Sequence, residues 1–281
     1  MSISPTLTDP APDLPINESL GDINDKFGLV RTHTLGIRAD VASIETILSM
    51  LNETAKPRTA FLATFVNPSS VTLAKRNDNY RVSLEQFDLV APDGFGMCVA
   101  IRWLHGLQAE RISFDNTSLA PVLFDFASRR GLSVALVGAK PGVAEQAGQR
   151  IREHFPELRI VAALDGYGDV GDKIRRINEL SADIVICGMG GNMQENFLLR
   201  LRDSQWPGYG FTCGGFLDQL LEGYLYYPIW VDSTGLRWAY RLLKEPRRLW
   251  RRYLIEYPQF GLRLFHALAK GATAEGYGRA G

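Results

Sequence analysis

Cysteine is scarce in this chain. Its 281 residues hold three, Cys98, Cys187 and Cys213, an odd and widely spaced set. That spacing excludes a disulfide framework, and no Cys/His cluster has the spacing of a zinc site. Cys187 lies in an apolar run and reads as a reduced core residue, so a cytosolic location is the default. Long apolar runs are also missing. Nothing approaches the roughly 18 residues of a transmembrane helix. The first residues, MSISPTLTDPAPDLPINESLGD, have neither a basic start nor an apolar stretch. They read as a disordered leader over residues 1–27 rather than a secretory signal. His33, His105, His154 and His266 are scattered and receive no role. There is no Gly-x-Gly-x-x-Gly after a strand, no P-loop, no Gly-x-Ser-x-Gly elbow and no Asp-x-Asp metal pair. No metal and no cofactor is expected.

A net charge of either sign is absent too, because 31 basic residues balance 31 acidic ones. The balance hides a division. Residues 237–270, RWAYRLLKEPRRLWRRYLIEYPQFGLRLFHALAK, hold nine Lys/Arg against two Glu, a net of +7, which leaves −7 on residues 1–236. Trp238, Tyr240, Trp250 and Tyr253 are interleaved with the basic residues. Such a segment suits an anionic membrane face or a lipid-linked phosphate. Arg241, Arg248 and Arg251 are spaced seven and three apart, roughly one helical face if Pro246 only kinks the path. Three guanidiniums on one face suit a diphosphate, since each gives paired hydrogen bonds. A solvated basic face or an Arg-rich interface between copies is the other reading, and a homo-oligomer stays open. The acidic body and the lack of a nucleic-acid motif argue against nucleic acid.

Apolar runs at 59–67, 132–139, 158–164 and 182–190 read as buried strands, with a short one at 87–90. Helical periodicity marks 39–51, 68–77, 117–130, 141–155 and 169–180. Strands alternating with helices predict an α/β fold with a mainly parallel sheet flanked by helices. The expected plan is a leader to residue 27, an α/β core over 28–233, a basic helical appendage over 234–270 broken by Pro246 and Pro258, and a flexible tail over 271–281. The boundary falls around Pro228–Gly235.

Candidate chemistry gathers at strand ends, where open α/β sheets bind ligands. Asp93, in APDGFG, follows a strand. It is either a general base or the cap of the next helix, and Gly94 permits close approach of a ligand. GMGGNMQE (188–195) can aim backbone N–H groups at a phosphate. Gln194 and Glu195 either hydrogen-bond a sugar or face solvent. Asn67 binds a ligand or closes a turn. Asp165-Gly166-Tyr167 reads as a turn.

In this order the motifs VNPSSV, APDG, LVGAKPGVAE, DGYG, CGMGGNMQE, GGFLDQLLEG and GLRWAYRLLKEPRRLWRRYL resemble the WecG/TagA/CpsF glycosyltransferases, family 26. The match runs from about Thr59 to Tyr253. The resemblance implies a Rossmann-like core and inverting transfer of an N-acetylmannosamine-type sugar, or another hexose, from a UDP-sugar. The implied acceptor is an undecaprenyl-diphosphate-linked sugar, in bacterial surface or exopolysaccharide biosynthesis. It implies Asp93 as base, Asn67 and Gln194 in the pocket, and Arg241, Arg248 and Arg251 on the acceptor diphosphate. The enzyme is then peripheral on the inner face of the cytoplasmic membrane. The sequence departs from the family pattern at Phe65, at Gly190-Gly191-Asn192, at Tyr226-Tyr227-Pro228 and at Ser113–Asp115. These changes sit at pocket positions and bear on which sugars are used. A nucleotide-sugar-binding module without catalysis and a Rossmann-like oxidoreductase are the alternatives. Arg247 and Arg252 are assigned mainly to the anionic membrane surface.

Overall fold

The computed structural model describes residues 28–53, 59–223, 226, 231 and 237–277. The leader and, apart from Val231, the boundary around Pro228–Gly235 lie outside them. The described chain opens with an antiparallel hairpin, β1 (Val30–Thr34) and β2 (Ile37–Val41), followed by α1 (Ile44–Glu53). Then come β3 (Phe61–Val66), α2 (Pro68–Arg76), α3 (Asp78–Glu85), β4 (Leu89–Pro92) and α4 (Phe95–His105). The second half runs α5 (Leu119–Arg130), β5 (Ser133–Gly138), α6 (Val143–His154), β6 (Arg159–Leu164), α7 (Val170–Glu179), β7 (Ile184–Gly188), α8 (Met193–Asp203), β8 (Tyr209–Thr212) and α9 (Phe216–Glu222). The C-terminal segment supplies α10 (Arg237–Lys244), α11 (Pro246–Arg251), a π-helical stretch (Arg252–Glu256) and α12 (Tyr257–Tyr277).

Six strands form one parallel sheet in the order β4-β3-β8-β7-β5-β6. Side chains alternate across it, as strand geometry requires. Phe61, Ala63, Val134, Leu136, Ile184 and Ile186 face α1, α5, α6 and α9. Leu62, Val66, Ala135, Val137, Val185 and Cys187 face the other helices, among them α2, α3, α4, α7, α8 and α12. Both faces are therefore covered, which is why these strands read as near-continuous apolar runs. The fold is the expected Rossmann-like α/β sheet with a helical C-terminal segment.

Two local readings change. The periodicity at 39–51 predicted one helix, yet Ala39–Val41 belongs to β2 and the helix starts at Ile44. A buried ion pair with long-range backbone partners overrides the pattern there. Arg38 donates to Asp40 at 2.9 and 2.7 Å, and both side chains are fully buried. The guanidinium also donates to the carbonyls of Phe87 (2.7 Å) and Asp88 (3.0 Å), while Asp40 accepts the Val90 N–H at 2.8 Å. The hairpin thus clamps β4, the strand that ends at Asp93. The second change is at Pro258. It does not break the helix, because the preceding π-helical turn absorbs it, with the Tyr257 N–H donating five residues back to Arg252.

Candidate active site

All six strands of the sheet end at one cleft of about 2110 Å³. Asn67 enters it after β3, Asp93 after β4, Lys140 after β5, Tyr167 after β6, Gly190 after β7 and Gly214 after β8. One face of α4 and the C-terminal segment make further walls, the latter through Arg241, Arg252, Tyr253 and Tyr257.

Asp93 is held by its backbone. Its N–H donates to the Val66 carbonyl at 2.7 Å, and the Ile112 N–H closes on Pro92 at 3.0 Å. The N-cap of α4 is Gly94, at φ 90°, and no side chain caps that helix. The carboxyl of Asp93 is thus not used as a cap. Burial pushes it above the ordinary carboxylate range. Arg111 opposes the shift, Asp115 adds to it, and Arg252 and Arg241 also oppose it. A carboxyl that is raised yet faced by cations suits a proton acceptor near neutral pH.

Arg111 is fixed by the departure at Ser113–Asp115. Its Nη1 donates to Ser113 Oγ at 2.5 Å and lies 3.4 Å from Asp115 Oδ2. Ser113 Oγ in turn donates to Asp115 at 2.6 Å, and Thr117 donates to the other carboxylate oxygen through N–H and Oγ1. Arg111 and Asp115 therefore form an ordered pair at the cleft wall rather than loose surface charge.

Asn67 serves two ends at once. Its Oδ1 accepts the Ser69 N–H at 3.0 Å and its own N–H donates to Ser70 Oγ at 3.1 Å, a capping box that opens α2. The same residue lines the cleft. Gln194 and Glu195 do not face solvent, for both are buried. Gln194 Oε1 accepts the Gly214 N–H at 3.1 Å and its Nε2 donates to Glu195 Oε1 at 3.1 Å. That oxygen also accepts Thr64 Oγ1 at 3.0 Å, and Thr64 meets Thr212 at 2.9 Å. Glu195 Oε2 is buried with no hydrogen-bond partner. Burial raises the Glu195 pKa, against the hydrogen bonds from Gln194 and Thr64. Gln194 and Glu195 thus tie β3, β8 and α8 together beneath the cleft floor. Gly188, at the end of β7, is required by that floor. A Cβ there would stand 2.8 Å from both Cys213 Sγ and the Gly214 carbonyl.

The appendage divides its arginines. Arg241 lines the cleft. Arg251 is exposed, outside the cleft lining, with its guanidinium 5.6 Å from the Trp250 ring. The Arg248 side chain lies outside the described residues. Arg252, the next residue along, enters the cleft, with its guanidinium 5.8 Å from the Tyr253 ring and 6.0 Å from Tyr257. Arg111, Lys140, Tyr167, Arg252 and Tyr257 are cleft residues that sequence reasoning did not select. Arg111 is signalled by its place two residues before Ser113–Asp115, and Tyr167 by its turn after β6. Lys140, Arg252 and Tyr257 carry no comparable local signal. Among the described residues, no group of three or more His, Cys, Asp or Glu is placed to hold a metal ion.

A profile of the glycosyl transferase WecG/TagA/CpsF family matches residues 32–274. The chain belongs to this family. It is a glycosyltransferase, as the resemblance implied. It is 29% identical over 209 residues to the UDP-Gal:alpha-D-GlcNAc-diphosphoundecaprenol beta-1,4-galactosyltransferase of Shigella boydii, covering 73% of this chain and 86% of that one. It is 30% identical over 200 residues to the N-acetylglucosaminyldiphosphoundecaprenol N-acetyl-beta-D-mannosaminyltransferase of Bacillus spizizenii, covering 69% and 75%. The Bacillus subtilis enzyme of the same name is 26% identical over 201 residues, covering 70% and 76%. No helix among the described residues is long and apolar enough to cross a membrane.

Proposed function

We infer that this glycosyltransferase moves a hexose from a UDP-sugar to a polyprenyl-diphosphate-linked sugar, with inversion, at a membrane surface. The observation that carries the reading is Asp93, raised by burial and faced by Arg111, Arg252 and Arg241 in one cleft. All three named relatives act on a GlcNAc-diphosphoundecaprenol, one with galactose and two with N-acetylmannosamine. That favours a GlcNAc-type acceptor and leaves the donor at the level of a hexose.

In the proposed step Asp93 takes the proton of the acceptor hydroxyl as that oxygen bonds to the anomeric carbon. The bond from the anomeric carbon to the UDP oxygen breaks on the opposite side, and UDP departs with the electron pair. Lys140 and the start of α8, where Gly190 and Gly191 line the cleft, face the UDP phosphates. The exposed ring of Tyr167 offers a platform for the base. Arg241 and Arg252 hold the acceptor diphosphate. Trp250, Leu254, Ile255, Leu262 and Phe265 are exposed on the C-terminal helices, among basic residues, and rest on the bilayer as a peripheral anchor.

The test is mass spectrometry of product after a panel of UDP-sugars is offered with a short-chain lipid-diphosphate-GlcNAc. The expected result is an acceptor heavier by one sugar, with UDP released in equal amount, and loss of both in Asp93→Asn. UDP release with no acceptor gain, or full activity in the variant, would overturn the reading.

A further inference from the structure

Helix α4 has two unlike faces. Met97, Ala100 and Ile101 are buried in the core. Phe95, Val99 and Trp103 recur at three-to-four spacing on the other side and line the cleft. Phe95 is 79% exposed and Trp103 60% exposed. Two large rings standing open on the wall of a cleft that also holds Asp93, Arg102 and Arg111 are unusual for a soluble surface. Leaving them bare has a hydrophobic cost that a ligand can relieve.

We propose that this face of α4 is the seat of the first isoprene units of a polyprenyl-diphosphate acceptor. The proposal rests on the acceptor class inferred above and adds where its lipid runs. Three observations choose the occupant. The track begins one residue beyond Gly94, so it starts beside Asp93, where the acceptor sugar must end. Arg241 and Arg252 face Asp93, so cations stand at the track's polar end, while Arg102 lines the cleft beside Trp103 at the other. Its near end abuts the C-terminal segment: a Cβ on Gly96 would lie 3.7 Å from the Phe260 ring of α12, a helix that also exposes Leu262 and Phe265. From Phe95 to Trp103 the helix rises about 12 Å, enough for a few isoprene units. A lipid diphosphate matches this order of sugar, charge and apolar surface. A bare phosphate does not use the rings, and the base of UDP is placed on Tyr167, after the strand at the opposite edge of the sheet from β4.

The experiment compares binding of farnesyl diphosphate and inorganic diphosphate by calorimetry, in the full chain and in F95S/W103S. Both rings are exposed, so the fold is not at stake, and a thermal melt checks this. Val82→Ser, which removes a half-exposed apolar side chain of α3 outside the cleft lining, is the control. The full chain and the control should prefer farnesyl diphosphate by roughly tenfold or more, and the double variant should lose most of that preference. An unchanged preference in the double variant overturns the proposal. So does a change in sedimentation without a change in preference, which would make this face a contact between copies. Neither measurement needs sugar transfer. Failure of every UDP-sugar with the farnesyl preference intact would sink the transferase reading alone, and transfer without the preference would sink this proposal alone.

Discussion

Arg251 and Arg252 are neighbours in sequence with opposite surroundings, and replacing each by Ala separates two roles. Arg252 enters the cleft, flanked by the Tyr253 and Tyr257 rings, and its Nε is buried without a hydrogen-bond partner. A charge-assisted hydrogen bond from such a guanidinium to a diphosphate oxygen is worth about 1.5–3 kcal/mol. Its loss should lower kcat/KM on a short-chain, water-soluble acceptor by about 10- to 150-fold. Arg252 is also one of the cations that lower the Asp93 pKa. Removing it should move the acidic limb of the rate profile to higher pH, because Asp93 must be deprotonated to accept a proton. Arg252→Lys keeps the charge and loses the fork, so it should restore the limb better than the rate. Arg251→Ala should change the soluble assay less than about twofold. It should weaken liposome binding by about 1 kcal/mol, an effect that salt erases. Equal losses for the two Ala variants on the soluble acceptor, with no movement of the limb, would refute the assignment.

Asp93→Asn should cut kcat by about a hundred- to ten-thousand-fold while UDP-sugar affinity, read by calorimetry, stays near that of the native chain. Glu195→Gln concerns stability. An acid whose folded pKa is raised contributes most when protonated, and that contribution fades as pH rises from the unfolded value through the folded one. The melting temperature of the variant relative to the native protein should therefore climb as pH rises above the ordinary carboxylate range; a flat difference would show that Glu195 is not penalised by its burial. Gly188→Ala should cost about 1–3 kcal/mol in urea unfolding, because its Cβ would overlap Cys213 and the Gly214 backbone. Phe260→Ala should loosen α12 from α2 and α4 at a cost of about 3 kcal/mol, with activity on the soluble acceptor falling in step.

Much of the sheet was legible in the chain. The runs at 132–139 and 182–190 became β5 and β7 because strands covered on both faces leave no polar alternation to blur them, and the half-buried edge run at 158–164 became β6. β8 was missed, since Tyr209–Thr212 is four residues long and contains a glycine. The hairpin was misread where Val41, Ile44, Ile47 and Leu51 happen to fit a helical period, and the partners that decide otherwise, Phe87, Asp88 and Val90, lie about 50 residues away. Asp93 was visible as a strand-end carboxylate. Which side of the helix Arg251 and Arg252 take was not. The spacing argument required that Pro246 only kink the path, yet α10 ends at Lys244 and a separate helix begins at Pro246. The burial of Glu195 rests on Thr64, 131 residues upstream, which no local pattern reports.

The strand order has a consequence for synthesis. β3 lies inside the sheet between β4 and β8, and its hydrogen bonds to Tyr209, Gly210 and Phe211 await residues made about 150 positions later. At a typical 5–20 residues per second, one edge of this apolar strand stays open for roughly 7–30 s on the ribosome. Unpaired strand edges recruit other chains, so the yield of folded protein should depend on translation rate and on chaperone cover of the N-terminal half. The Thr64–Thr212–Glu195 contact closes only when that wait ends.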